Sequence, residues 1–143
     1  MTDLSVRRAV DTDIGACAAV LNGWIDSTPW FPRVHSAEEV EGFLRDAFPA
    51  REIWVIGHPV EGYLSVDPEA GKIGALYCAR SGAGLGKALM DKAKEGRDRL
   101  FLHTHVANEA AQRFYRREGF VGAGAVDPEP PHELPELRME WVR

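Results

Sequence analysis

Leu76-Tyr77-Cys78-Ala79-Arg80-Ser81-Gly82-Ala83-Gly84-Leu85-Gly86-Lys87-Ala88-Leu89-Met90 decides how the rest of the chain is read. An apolar strand runs into a loop with glycine at every second position, and the loop runs into an amphipathic helix. The first turn of such a helix carries backbone N–H groups with no intrahelical partner. Glycines let a ligand approach the main chain because no Cβ intervenes. Together with the positive end of the helix dipole, the stretch predicts a phosphate cradle, and so a phosphorylated ligand.

Upstream of the cradle lie three strand-like runs, Glu52 to Ile56, Val60 to Val66 and Lys72 to Cys78. Gly57-His58-Pro59 and Asp67-Pro68-Glu69-Ala70-Gly71 separate them as turns too short for crossover helices, which predicts an antiparallel meander. Before it, Leu4 to Val10 reads as a strand, and Asp11 or Thr12 is placed to cap a helix with Ile14, Cys17, Ala18, Leu21, Trp24 and Ile25 on one face. Ser27-Thr28-Pro29-Trp30-Phe31-Pro32 breaks that helix. Ser36-Ala37-Glu38-Glu39 is a capping box opening a second helix, with Val40, Phe43, Leu44 and Ala47 on one side and Pro49 at its close.

Downstream, Leu85, Ala88, Leu89 and Ala93 point one helix inward and Gly96 stops it. Leu100 to His105 follows as a strand. Asn108 caps a helix that buries Ala111 and Phe114 and ends at Gly119. Phe120 to Val126 and Leu137 to Val142 are the last two strands, joined by an irregular loop with Pro128, Pro130, Pro131 and Pro135. The predicted order is β-α-α-β-β-β-α-β-α-β-β. It implies an α+β fold, a mixed, mostly antiparallel central sheet flanked by helices, in one domain over residues 1–143.

Composition narrows the function. The 143 residues carry a formal charge of −5, which argues against a nucleic-acid-binding face. The two cysteines, Cys17 and Cys78, sit in apolar patterns and read as buried, reduced thiols. The N-terminus lacks the basic-then-apolar layout of a signal peptide, and no run approaches the ~20 apolar residues of a membrane span. The expectation is a cytoplasmic protein.

Two common phosphate loops fail on the residues. The Walker loop needs Ser or Thr after Gly-Lys and Gly five places before that Gly; here Ala88 follows Gly86-Lys87, and Ser81 holds the earlier position. In the dinucleotide fingerprint the third glycine comes one place later than Gly86, in a loop that opens a βαβ unit. A third pattern fits. The segment resembles the acetyl-CoA loop of the GNAT superfamily of N-acetyltransferases, written Gln/Arg-x-x-Gly-x-Gly/Ala, with Gly84 and Gly86 at its last two defining positions, Gly82 at a frequent extra glycine, and Ser81 beside Arg80 at the first. A second block, Asn108-Glu109-Ala110-Ala111-Gln112-Arg113-Phe114-Tyr115-Arg116-Arg117-Glu118-Gly119-Phe120, resembles that family's Asn-x-x-Ala-x-x-Phe-Tyr-x-x-x-Gly-Phe. It stands one strand after the loop, where the family has it.

The resemblance implies a GNAT-like fold and acetyl transfer from a thioester to an amine, with acetyl-CoA as co-substrate. It implies that the backbone of Leu76, Tyr77 and Cys78 binds the pantetheine arm as an added strand, and that the strand from Leu100 to His105 splays away. Amides of Ser81, Gly82, Ala83, Gly84, Leu85, Gly86 and Lys87 then hold the pyrophosphate, and Asn108 positions the arm. Tyr115 is implied as the general acid; an unperturbed phenol, with a pKa of about 10, is protonated at neutral pH. Its bland alternative is a half-buried aromatic beside Phe114. Arg80, Lys87, Arg113, Arg116 and Arg117 are phosphate partners or, for the last three, a solvated helix face.

The general base is not legible. Asp67 and Glu69 fall in a turn, Glu38 and Glu39 belong to a helix cap, and His35 lies in a loop within reach of an acceptor. His103 and His105 share a strand face, which suits a substrate pocket or a structural role; with no third ligand at a fixed offset, no metal is expected. The acceptor site should form from the first interhelical loop, the meander and the proline-rich loop, with Trp24, Trp30, Phe31 and Tyr63 as candidate walls; Trp24 also fits the helix core stripe. The acceptor is a small-molecule or peptide amine, with no nucleic-acid or membrane partner. The resemblance allows a homodimer, although no apolar stripe marks an interface. The rival readings are a catalytically idle acyl-CoA-binding sensor and an interaction domain that binds no coenzyme.

Overall fold

The computed structural model describes residues 4–128 and 130–143. The predicted element order holds: β1 (Val6–Arg8), α1 (Ile14–Ser27), α2 (Ala37–Ala47), β2 (Glu52–Ile56), β3 (Gly62–Asp67), β4 (Lys72–Cys78), α3 (Leu85–Lys94), β5 (Arg99–His105), α4 (Glu109–Arg117), β6 (Val121–Val126) and β7 (Glu136–Val142). The strands form one sheet in the order β1-β2-β3-β4-β5-β7-β6. Every pairing is antiparallel except β4 with β5, which α3 joins as a crossover. Among the described residues no helix is long and apolar enough to cross a membrane.

Each sheet face has its own core. Leu85, Leu89, Met90 and Ala93 of α3 pack with Ile56, Leu64, Leu100, Leu102 and Met139 on one face. Cys17 and Val20 of α1 pack with Val55 and Tyr63 on the other. β4 serves both by changing phase. Its register against β3 runs Ser65↔Ala75 and then Val66↔Ile73, which leaves Gly74 as an extra residue. Ile73 therefore faces the α3 core together with Leu76 and Cys78, while Ala75 and Tyr77 face the α1 side.

Local signals account for some elements and not for others. The Ser36 hydroxyl accepts from the Glu39 N–H at 3.1 Å, and the Glu39 carboxylate accepts from the Ser36 N–H at 3.0 Å, a complete capping box. The expected cap on α1 is different. Asp11–Asp13 forms a 3-10 turn, and no side-chain hydrogen bond caps α1. Asp13 instead accepts two bonds from Arg7, at 2.8 and 2.9 Å, and one from the Val10 N–H at 2.9 Å. The Arg7 guanidinium holds the Asp13 carboxyl below the usual carboxylate range. Phe43, read as inward, is 52% exposed, because the outer side of α2 borders a cavity rather than a core. Both cysteines are free thiols; burial pushes Cys17 up to about 12 and half-buried Cys78 up to about 11.

Candidate active site

β4 and β5 pair only at Lys72↔Phe101 and Ile73↔Leu102. Beyond those positions they part. β3 covers the other edge of β4 through Gly62↔Cys78, and β7 covers the far edge of β5 through His105↔Glu136. The β5-facing edge of β4 from residue 74 to 78 is therefore open, with main-chain groups that still need partners. The parting begins at the Gly74 bulge.

The glycine loop leads from this open edge into α3. Gly82 and Gly84 sit at φ +78° and +80°, a region L side chains rarely adopt. Gly84 is the N-cap of α3 and offers no side chain to it, so the first-turn N–H groups stay available. Gly86 has a packing reason: a Cβ there would lie 3.2 Å from the Phe114 ring, so its absence lets α3 and α4 close up. Leu85 is buried and anchors the helix, whereas Ser81, Gly82 and Lys87 are exposed and Ala83 is half-buried. Two of the candidate cations are already paired: Arg80 lies 3.0 Å from Glu61, and Lys87 lies 3.5 Å from Asp91 and 3.7 Å from Glu118. Arg116 donates to Gln112, and Arg113 and Arg117 are exposed on α4.

α4 borders the same cleft. Its cap, Asn108, accepts from the Ala111 N–H at 3.2 Å. Tyr115 packs against Phe114 and Phe120 at ring distances of 5.5 and 5.8 Å. Burial pushes its phenol above the ordinary value, with Tyr77 and Cys78 adding to the effect. The side chain thus stands near the open end of β4, and among the described residues its hydroxyl has no hydrogen-bond partner.

On the opposite face of β4 lies a cavity of about 290 Å³. Helices α1 and α2 line it with Leu21, Ile25, Val40, Phe43 and Leu44, and the three segments expected of an acceptor site complete it: Phe31, Arg33, Val34 and His35 from the α1–α2 loop, Tyr63, Gly74, Ala75 and Tyr77 from the meander, and His132 from the proline-rich loop. Phe31, His35 and Tyr63 are thus brought together. Trp30 stands outside the lining, edge-on to Trp24 at 5.7 Å and to His105 at 5.6 Å. Trp24 packs on Tyr77 at 5.1 Å. His103 stands outside it too, with Nδ1 3.9 Å from Glu136 Oε1.

Sequence reasoning missed a polar group at the mouth of the parted strands. Phe31 packs on His105 at 5.4 Å and on His132 at 4.5 Å. Burial lowers the pKa of His105, and burial followed by the charges of His105 and His35 lowers that of His132, so both imidazoles are neutral at neutral pH. Glu136 sits opposite His105 in the β5–β7 register. That non-local pairing carries no local sequence signal. Among the described residues no group of three His, Cys, Asp or Glu is placed to hold a metal ion. Asp67 accepts from the Glu69 and Ala70 N–H groups within its turn, as its position suggested.

Comparison with known proteins agrees with this fold. The model of the acetyltransferase (GNAT) domain matches residues 49–122, just over half of the chain. The peptidyl-lysine N-acetyltransferase YiaC of Escherichia coli (strain K12) is 28% identical over 131 residues, covering 86% of this chain and 88% of YiaC. Among solved structures, the apo form of YjaB from Escherichia coli superposes with a TM-score of 0.78 at 23% identity, over 96% of this chain and 97% of that one. YncA from Salmonella typhimurium, solved with its cofactor acetyl-CoA, superposes with a TM-score of 0.69 at 20% identity, over 96% of this chain and 92% of that one.

Proposed function

We propose that this chain, which belongs to the GNAT acetyltransferase family, moves an acetyl group from acetyl-CoA to the primary amine of a small molecule or peptide, and that residues 1–143 form a single domain for that purpose. The observation that carries the reading is the unpaired edge of β4 leading into the uncapped N-terminus of α3. An extended arm needs main-chain partners, and a pyrophosphate needs clustered N–H groups; the two lie end to end here. The residues therefore fit the coenzyme.

Bound acetyl-CoA supplies a thioester, activated toward an amine. In our reading, Leu76, Tyr77 and Cys78 pair with its arm through their backbones and offer an N–H to the developing oxyanion. Amides from Ser81 to Lys87 hold the diphosphate. Asn108, whose Oδ1 is committed to the helix, has its Nδ2 left for the arm. Tyr115 gives its proton to the departing thiolate, as a phenol that burial keeps protonated. The proton lost by the amine has a neutral imidazole to receive it at His105, beside His132 and Glu136.

A thermal-shift series with a thiol-release assay tests the reading. Coenzyme A and acetyl-CoA should raise Tm, because a ligand that binds only the folded state must, while ATP and NADH should not. No shift at millimolar acetyl-CoA overturns it. Release of free thiol with an amine panel separates an enzyme from an idle acyl-CoA-binding sensor.

A further inference from the structure

The cavity on the α1 side of β4 speaks to the acceptor. Its floor is Gly74, Ala75 and Tyr77, part of the stretch of β4 whose edge is open. Its walls are apolar and aromatic, with Phe31, Tyr63 and Tyr77 presenting rings. Among the described residues no carboxylate lines it. Arg33 is already spent on Asp26 at 2.9 Å and on the His35 carbonyl at 3.0 Å, and His35 stands beside Phe43 and Glu39. A cationic group brought inside would lose its water and find no counter-charge. A ring would find rings. The volume suits it as well: an apolar cavity of about 150 Å³ already holds benzene, and this one is about 290 Å³.

The polar side chains of the lining are Arg33, His35, His132 and the two tyrosines. Tyr63 is 0% exposed, and its hydroxyl has no hydrogen-bond partner among the described residues. Its hydroxyl is closed to the cavity as it is to solvent, so what Tyr63 gives the site is its ring.

The geometry points to a small arylalkyl monoamine as the acceptor: a primary amine on a short arm from an aromatic ring, the ring in this cavity and the amine toward the open edge of β4. The inference rests on the acetyltransferase reading and names its substrate class. It excludes polyamines, which would bring a second charge into the cavity, and lysine-bearing peptides, whose aliphatic arm leaves the rings without a partner.

Gly74 makes the inference testable without damage to the fold. A Cβ at this position meets no heavy atom within 4 Å, and its φ is not positive. Gly74→Leu should therefore fill the cavity from its floor and leave folding intact. The assay is thiol release with acetyl-CoA and 2-phenylethylamine, tyramine, spermidine or a lysine-bearing peptide. The wild-type protein should give the highest kcat/KM with tyramine and 2-phenylethylamine. Gly74→Leu should lower both values at least about tenfold, the discrimination a few misplaced methylenes give, with the Tm rise from acetyl-CoA retained. A preference for spermidine or the peptide, or a Gly74→Leu protein within threefold of wild type on the aryl amines, overturns the inference and leaves the acetyltransferase reading standing. A wild-type protein that acetyl-CoA does not stabilise overturns that reading itself.

Discussion

Replacing Tyr115 by Phe removes one oxygen and leaves the ring. The ring contacts to Phe114 and Phe120, at 5.5 and 5.8 Å, are kept. The hydroxyl makes no hydrogen bond to the described residues, so its loss forfeits none, and Tm should hold within about 2 °C. A positioned general acid contributes roughly 10²–10⁴-fold, and at about 1.36 kcal/mol per tenfold that is a barrier about 2.7–5.4 kcal/mol higher. Steady-state thiol release at saturating acetyl-CoA should fall by that factor, while titration of acetyl-CoA gives a Kd within about twofold of wild type. The pH profile adds a second check. Burial holds the Tyr115 phenol above its ordinary value of 10.0, so the wild-type enzyme should show no falling limb from this group below pH ~10. A variant within threefold of wild-type turnover, or one whose loss follows an equal loss of acetyl-CoA affinity, would refute the assignment.

Gly84→Ala puts a Cβ on a residue at φ +80° with no neighbour closer than 3.8 Å. The cost is backbone strain of about 1 kcal/mol, and a binding titration should show acetyl-CoA affinity lowered about tenfold; unchanged affinity would remove this helix start from the diphosphate site. Asp13→Asn leaves the half-exposed Arg7 fork facing a neutral amide, at a solvent-screened cost of about 1 kcal/mol, or a Tm lower by roughly 3 °C in a melting curve; the wild-type contribution holds above the ordinary carboxylate pKa and fades as acid protonates Asp13. Alkaline stability has the opposite sense. Cys17, Cys78, Tyr63, Tyr77 and Tyr115 all have pKa values raised by burial. Their protonated forms favour the folded state fully below the unfolded thiol pKa of about 8.5. Tm should stay flat from pH 7 to about 8.5 and then fall as the unfolded thiols, followed near pH ~10 by the unfolded phenols, ionise; a Tm flat to pH 11 would contradict the burial of these groups.

How much of this was legible in the sequence depends on how local each cause is. Turn residues sit within a few positions of what they terminate, so the order of eleven elements and the limits of β2 and β4 followed from Gly, Pro and apolar runs. The capping box at Ser36 and the stop at Gly119 are local too. The 3-10 turn at Asp11–Asp13 was not legible, because Asp13 answers to Arg7 on the preceding strand. Nor was the group around His105, since Glu136 and His132 reach it only through the β5–β7 pairing and a proline-rich loop. The three segments around the cavity were foreseeable, but the exclusion of Trp30 from its lining was not, because Trp30 is drawn off by Trp24 and His105.

The odd residue in β4 makes strand phase matter more than strand composition. Were the bulge at Gly74 ironed out with all residues kept, strict two-residue alternation would run through the strand, and all later residues would exchange sides. Leu76 and Cys78 would be turned into the aromatic chamber, and Tyr77 would be driven against the α3 packing. Substitutions along this strand change one wall at a time, whereas flattening the bulge would transpose the enzyme's two compartments at once.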